Sequence, residues 1–217
     1  MHYKKLKWLQ LFNALVICLL SYQLFILALD LGFTAGDYII LSITFMAGLF
    51  YIVLGKFSGR NIRAGKNLII AWVWAGMATG LPAAGHDLQG PASLSFALLF
   101  VENFLFVLIL SIVFDIKDYV VDATRGLSTI PTRLGFKKTL QHTIMPLSLL
   151  LLAVHLAGLF LLNNLNMGQE ALSLLPFLFL LALPKLLKRR QSLLFYLLVI
   201  DGMMLFKGLL GFILHAG

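Results

Sequence analysis

The sequence carries little charge and almost no cysteine for its length. Only 12% of its 217 residues are Asp, Glu, Lys or Arg, and Cys18 is its single cysteine. So little charge excludes an ordinary water-soluble domain, which needs a larger polar surface. One cysteine excludes a disulfide framework, so Cys18 is expected to be a small packing residue. No acidic residue precedes Asp30, and no repeat, low-complexity tract or second, soluble domain is evident.

Long Leu-rich apolar runs fill the chain instead. Hydrophobic residues make up 60% of it, and the mean hydropathy is +0.95. Only helices or closed barrels satisfy their backbone groups in lipid, and the runs lack the two-residue alternation of barrel strands. At roughly 20 residues per crossing, the sequence predicts one all-α domain over residues 1–217, a polytopic membrane bundle of about seven transmembrane helices. The predicted spans are Trp8–Leu29, Tyr38–Leu54, Leu68–Ala84, Ser93–Phe114, Thr143–Leu162, Ala171–Leu187 and Leu193–Leu214.

The basic residues segregate to one side when seven spans are threaded. All but one of the 17 Lys and Arg residues lie at the N-terminus or beside the connections after spans two, four and six; the exception is Lys207, within span seven. The opposite connections carry only Asp30, Asp37, Asp87 and Glu170. The positive-inside rule then predicts a multi-pass protein of the cell (inner) membrane, with a cytoplasmic N-terminus and an outside C-terminus. This topology and contact with anionic membrane lipid explain the net charge of +8, so no nucleic-acid partner is required.

The longest polar connection, the predicted cytoplasmic loop 115–142, holds the main chemical motif. It begins DIKDYVVDATRGLSTIPTRLG, so Asp115, Asp118 and Asp122 are spaced i, i+3, i+7. On a continuous helix all three carboxylates lie within about 60° of arc. Asp115 and Asp118 are ~4.5 Å apart along the axis, close enough to share an ion. Asp115 and Asp122 are ~10 Å apart along the axis, too far to share one. Mg²⁺ binds one or two carboxylates plus substrate phosphates, and basic residues in the same loop suit a metal-bound diphosphate. The alternative is that the aspartates pair with those basic residues in a solvated loop.

The stretch Val113–Gly135, VFDIKDYVVDATRGLSTIPTRLG, resembles the second aspartate-rich motif of the UbiA-type intramembrane prenyltransferases. In that family an Asp-x-x-Asp-x-x-x-Asp segment precedes a Thr-Ile/Leu-Pro element and a Leu/Ile-Gly, here Thr129–Pro131 and Leu134-Gly135. The match covers roughly residues 100–138. The resemblance implies a UbiA-like, incomplete nine-helix bundle. It also implies Mg²⁺-dependent transfer of a polyprenyl group from its diphosphate to a lipophilic acceptor in the membrane.

The same resemblance implies roles for five residues of the loop. Asp115, Asp118 and Asp122 would be catalytic metal ligands for Mg²⁺, with Asp115 and Asp122 foremost. Lys117 and Arg125 would help to hold the diphosphate.

A second likeness lies between spans two and three. The family often has a Tyr-x-x-x-Lys there that contacts the prenyl donor, and this chain has Tyr51…Lys56 with one extra residue between. An interfacial tyrosine and a topology-setting lysine explain the pair without a ligand, and this interpretation is preferred. Arg60, Arg63 and Lys66 lie on the same side, where they would either join the diphosphate site or only set the topology.

The chain departs from the family pattern at its N-terminal end. The family's first aspartate motif follows its second helix, and this chain has neither that motif nor the first two helices. Three explanations are open: a truncated copy of a longer protein, an inactive relative with a binding role, or a partner chain that supplies the missing motif. Each predicts little prenyl transfer by the isolated chain.

Polar residues inside the predicted spans support rival functions. Ionisable groups at such depth are costly, so Glu102, His155 and Asp201 could form the pathway of a small proton-coupled transporter. A non-catalytic membrane subunit is the other alternative, and simple interhelical hydrogen bonding is the preferred structural explanation. Lys207 lies six residues from Asp201, so the two do not stack on one helix face. Lys207 is therefore expected to extend toward the outer interface, and Asp201 to pair with another helix.

Overall fold

All regular structure is helical in the described part of the chain, as the sequence predicts. The computed structural model describes residues 33–57, 63–86, 91–162, 166–187 and 191–216, together with Leu19, Tyr22, Gln23 and Ile26. The α-helices are α1 Ala35–Phe57, α2 Arg63–Ala75, α3 Leu81–Ala83, α4 Pro91–Lys117, α5 Tyr119–Thr124, α6 Ile130–Leu134, α7 Phe136–Thr139, α8 Met145–Leu162, α9 Met167–Ser173, α10 Leu175–Leu186 and α11 Asp201–Ala216. Three π-helical turns join α2 to α3, join α7 to α8 and precede α11, at Gly76–Gly80, Leu140–Ile144 and Phe195–Ile200.

Four stretches of helix in the described ranges are long and apolar enough to cross a membrane, not the seven predicted. They correspond to predicted spans four to seven, and their bounds are Ala92–Lys117, Phe136–Leu162, Met167–Leu186 and Phe195–Leu214. The first predicted span lies almost entirely outside the described residues. The second falls within α1, of which the stretch with described side chains, Ala35–Tyr51, is a shorter apolar helix. The third is divided among α2, a π-helical turn and α3, because the backbone changes its helical type at Gly76.

Helix α4 occupies the centre of the bundle. Of its most apolar window 56% is buried inside the protein, against 17–22% for the other three spanning stretches. It packs most extensively against α2 and α8. Its buried face includes Ile109, Ile112 and Val113, which meet Leu151 of α8 and Leu180 of α10 in one apolar cluster. Polar groups on α4 are thus held away from the surface and must find partners within the protein.

The segment of the sixth predicted span is divided at Leu174 into α9 and α10. Pro176 lies in the first turn of α10, where a helix needs no backbone donor. Helix α9 starts with a capping box: Gln169 N–H donates to the side chain of Asn166, and the Asn166 N–H donates to the Gln169 side chain.

Candidate functional site

Asp115 lies in the last turn of α4, where its carboxylate is buried among polar partners. Asp115 is only 5% exposed. The Asn67 side-chain amide donates to Asp115 Oδ2 at 2.7 Å, and Ser111 Oγ donates to Asn67 Oδ1 at 2.8 Å. Lys66 Nζ lies 3.6 Å from Asp115 Oδ1. Because α2 packs along α4, it brings Lys66 and Asn67 to this carboxylate, and the Ser111 hydroxyl fixes the orientation of the Asn67 amide.

The other two aspartates of the motif lie beyond a slight break in the helix. Helix α4 ends at Lys117, and Asp118 has φ −90° and ψ 4° before α5 begins. The Asp118 side chain is 54% exposed and forms a 3.8 Å ion pair with Lys117, a contact that contributes little at a surface. The Asp122 carboxylate is close enough to Asp115 for their charges to repel. The backbone therefore departs slightly from helical geometry at Asp118, although the Asp118 N–H still donates to Phe114 O and the Asp122 N–H to Asp118 O.

The end of α4 offers one buried carboxylate to a magnesium ion. In the part of the chain that the structure describes, no group of three or more His, Cys, Asp or Glu side chains is placed to hold a metal. Mg²⁺ nevertheless needs only one or two carboxylates when substrate phosphates complete its shell. Asp115 would supply one of them, and a cation there would reduce the repulsion between Asp115 and Asp122. Asp118 is turned toward Lys117 instead.

The Thr-Ile-Pro segment of the motif builds the local structure of the loop. Thr129 begins α6, and its backbone N–H donates to Thr132 Oγ1 at 2.8 Å. Pro131 follows in the first turn, where its fixed backbone angle suits a helix start. Gly135 has φ +84°, a conformation that side chains rarely adopt, and separates α6 from α7. These residues fold loop 115–142 into short helices against the end of α4.

Among the described residues, Tyr51 and Arg125 are not hydrogen-bond or ion-pair partners of Asp115. Tyr51 is on α1 and 37% exposed, so the structure places it at the surface. Arg125 is exposed just after α5. The side chains of Lys56 and Arg63 lie outside the described residues. Lys66, whose role the sequence leaves open between the diphosphate site and topology, is the basic residue that reaches Asp115.

A second polar cluster lies deeper in the bundle and joins four helices. Lys207 Nζ of α11 is 3.0 Å from Glu102 Oε1 of α4, and His155 Nδ1 of α8 is 2.9 Å from Glu102 Oε2. The other ring nitrogen of His155 is 2.9 Å from Ser173 Oγ. The Glu102 and His155 side chains are 11% and 12% exposed. The prediction that Lys207 extends outward is wrong, because a buried carboxylate on α4 provides a closer partner than the interface does.

Further contacts hold the ammonium of Lys207 in place. It donates a short hydrogen bond to Asn103 Oδ1, and the Asn103 amide donates to Thr79 Oγ1 at 2.9 Å. The ammonium also lies over two aromatic rings, 5.2 Å from the centroid of Phe106 and 5.9 Å from that of Phe177. Both contacts favour the cation electrostatically. Asp201 is exposed, and it is Lys207 rather than Asp201 that joins Glu102 and His155.

The polar cluster forms part of the wall of a cavity of about 560 Å³. Most of the lining is apolar. It comes from α4, α8, α10 and α11, and Trp74 of α2 adds to it. Glu102 precedes Asp115 by 13 residues on one helix, so the two sites are roughly 20 Å apart along its axis. The protein therefore has two separate polar sites, one at the end of α4 and one midway along it.

No protein-family profile, curated protein or solved structure matches the chain. Function must therefore be inferred from the residues and geometry of these two sites.

Proposed function

We propose that the chain is a UbiA-like membrane protein that binds a polyprenyl diphosphate at the Asp115 end of α4. The observation that carries the proposal is a carboxylate at the end of the central helix, buried and oriented by Asn67 with Lys66 beside it. The resemblance of Val113–Gly135 to the family's second aspartate motif supports it independently. The proposal includes the seven-span topology, with loop 115–142 on the cytoplasmic side.

The residues at this end have complementary tasks in such a reaction. Bound Mg²⁺ supplies positive charge that stabilises the departing diphosphate. Asn67 holds the Asp115 carboxylate in one orientation, and Lys66 and Lys117 offer ammonium groups to phosphate oxygens. In transfer, the allylic C–O bond breaks, a C–C bond to the acceptor forms, and the acceptor loses a proton. The apolar bundle would exclude water, which otherwise captures the allylic cation.

Transfer by this chain alone is expected to be slow. The 29 residues before Asp30 contain no carboxylate side chain, and the Asp115 site supplies only part of the metal ligation that the family uses. We propose that diphosphate binding is retained and that efficient transfer to a lipophilic acceptor requires carboxylates from a partner chain.

The test is binding of farnesyl diphosphate to the purified protein in nanodiscs, with and without Mg²⁺. We expect saturable binding that requires Mg²⁺. The binding should become about 10–100-fold weaker in Asp115→Asn, because a carboxylate proposed to bind the metal is lost. Lys66→Met should also weaken binding, since an ammonium near the diphosphate is removed.

Glu170→Gln is the matched control, because α9 follows the far end of α8 and this carboxylate therefore lies at the other end of the bundle. It should bind as the unmodified protein does. Binding that ignores Mg²⁺, or that Asp115→Asn leaves intact, would overturn the proposal.

A proton-coupled transporter is the second candidate, and the Glu102–His155–Ser173 chain of contacts favours it. The three side chains are connected by distances of 2.9 Å through the bundle. Glu102→Gln should then abolish proton-coupled flux in proteoliposomes. Absence of any proton flux in the unmodified protein would leave the cluster with a structural or ligand-binding role.

A further inference from the structure

The cavity beside Glu102 combines an apolar wall with a few polar groups that reach its surface. Its volume of about 560 Å³ lies within the usual range for a lipophilic small molecule. Leu99, Leu159 and Met204 are among the apolar residues that line it, and Glu102 and Lys207 supply polar atoms. The side chains of Glu102 and Lys207 are 11% and 17% exposed, so they are partly accessible from the cavity.

Glycines of two helices leave space at the cavity wall. Gly158 of α8 and Gly208 of α11 both line the cavity. A Cβ added at either position would meet no heavy atom within 4 Å outside the local helix backbone. Helix interiors disfavour glycine by roughly 1 kcal/mol relative to alanine. At these two positions the absence of a side chain leaves room that a ligand could occupy.

The charges in the wall indicate which head group fits. The Lys207 ammonium and the Glu102 carboxylate neutralise each other at 3.0 Å. A ligand carboxylate or phosphate would enter this apolar space without an uncompensated cation to meet it, and burying such a charge is costly. A hydroxyl or carbonyl oxygen avoids that penalty and can still accept a hydrogen bond from the ammonium or exchange one with His155.

We propose that this cavity binds a neutral, long-chain membrane lipid through a hydroxyl or carbonyl head group placed at the Glu102–Lys207–His155 cluster. The apolar chain would lie along the Leu-rich wall, and Gly158 and Gly208 would give it space. The proposal is independent of diphosphate binding, because Asp115 lies roughly 20 Å away along α4.

The tryptophans give a direct readout. Trp74 lines the cavity, whereas Trp72 packs on Phe100 and is not part of the lining. Both tryptophans are also partly exposed, Trp74 by 53% and Trp72 by 40%. With Trp8→Phe added, Trp72→Phe leaves Trp74 as the sole tryptophan, and Trp74→Phe leaves Trp72. Dibromostearyl alcohol, titrated into nanodiscs, should quench Trp74 saturably and Trp72 only in proportion to its concentration in the bilayer. Equal, non-saturable quenching of both tryptophans would overturn the proposal.

Filling the cavity provides the second measurement. Gly158→Leu should weaken saturable quenching of Trp74 by about tenfold or more. Gly202→Leu is the matched control: it is also a helical glycine with open space at Cβ, but it does not line the cavity. Binding that survives Gly158→Leu unchanged would place the alcohol elsewhere and refute the site.

The head-group preference is tested with ionised dibromostearic acid. The acid should bind about tenfold more weakly than the alcohol in the unmodified protein. Glu102→Gln should reverse this order, because it leaves the Lys207 ammonium without its carboxylate. Tighter binding of the acid to the unmodified protein would contradict the neutral head group.

One competing occupant is the predicted first helix of the chain itself. Cys18, the only cysteine, lies in that predicted span. Oxidative crosslinking of Cys18 to a cysteine placed by Gly158→Cys would put this helix against the cavity and overturn the proposal. Absence of the crosslink, with saturable quenching of Trp74, supports it.

Discussion

Replacing Lys207 with methionine should destabilise the protein severely, because it leaves a buried carboxylate without its main cation. The change keeps the length of the side chain and removes only its charge and hydrogen-bond donors. At 3.0 Å between Lys207 Nζ and Glu102 Oε1, an effective dielectric constant of about 20 gives a gross attraction of about 5 kcal/mol. Desolvation of the two ions offsets much of this attraction in the folded state.

The loss on removing one partner is larger than the net contribution of the pair. Lys207→Met leaves the Glu102 carboxylate buried, with the His155 ring still in contact with it. Breaking a buried ion pair in this way typically costs about 3–5 kcal/mol. We expect about 3 kcal/mol here, because the His155 ring stays at 2.9 Å and still provides one hydrogen bond.

The double variant Glu102→Gln/Lys207→Met separates the ion pair from ordinary packing. It removes both charges of the pair together, and the new side-chain amide on α4 can still accept a hydrogen bond from His155. Its free energy of unfolding should therefore fall by much less than the sum of the two single losses, giving a coupling energy of about 2–3 kcal/mol. The measurement is equilibrium unfolding in mixed detergent micelles, followed by tryptophan fluorescence and far-UV circular dichroism.

A control cycle uses Glu170→Gln in place of Glu102→Gln. Glu170 makes no ion pair in the described part of the chain, so its losses should add to those of Lys207→Met. Additive losses in the Glu102 cycle as well would refute the ion pair.

The backbone positions give three further predictions. Gly76→Ala should reduce stability by about 1–3 kcal/mol, because its Cβ would overlap the Thr44 side chain. Gly65→Ala, where a Cβ would meet open space, should be neutral or stabilising. Thermal melts of the two variants measure this difference. Gly135→Ala should cost about 1–2 kcal/mol and increase proteolysis of loop 115–142, since φ there is +84°. Asn166→Ala should cost about 1 kcal/mol by removing the cap of α9, and hydrogen exchange at its first turn should rise.

The sequence predicts the helical class and the four most apolar spanning stretches, because both follow from local composition. A run of about 20 apolar residues indicates a spanning helix whatever its neighbours are. Where the backbone is irregular the prediction weakens. The π-helical turn at Gly76–Gly80 divides the third predicted span, and no apolar pattern distinguishes a π turn from a continuing helix.

The partner of a polar residue is less predictable than its presence. Glu102, His155 and Lys207 are recognisable as costly groups in apolar runs, but 105 residues separate Glu102 from Lys207. Sequence spacing relates residues of one helix only, so it can relate Lys207 to Asp201 but not to Glu102. The rotation of α11 about its axis decides the true partner, and that rotation depends on packing against α9 and α10. The same reasoning applies to Asn67, a residue whose link to Asp115 no local pattern suggested.

Both candidate sites depend on the central position of α4. On a peripheral helix a polar side chain can remain at the surface, as Asp201 does. On α4, Glu102 and Asp115 are only 8% and 5% exposed, so each must be satisfied by groups that other helices bring to it. Lys207 and His155 approach one carboxylate from α11 and α8, and Lys66 and Asn67 approach the other from α2. Two buried carboxylates on one central helix, each held by separate helices, would allow the two proposed ligands to bind without sharing a residue. For that reason the diphosphate and neutral-lipid experiments can fail independently.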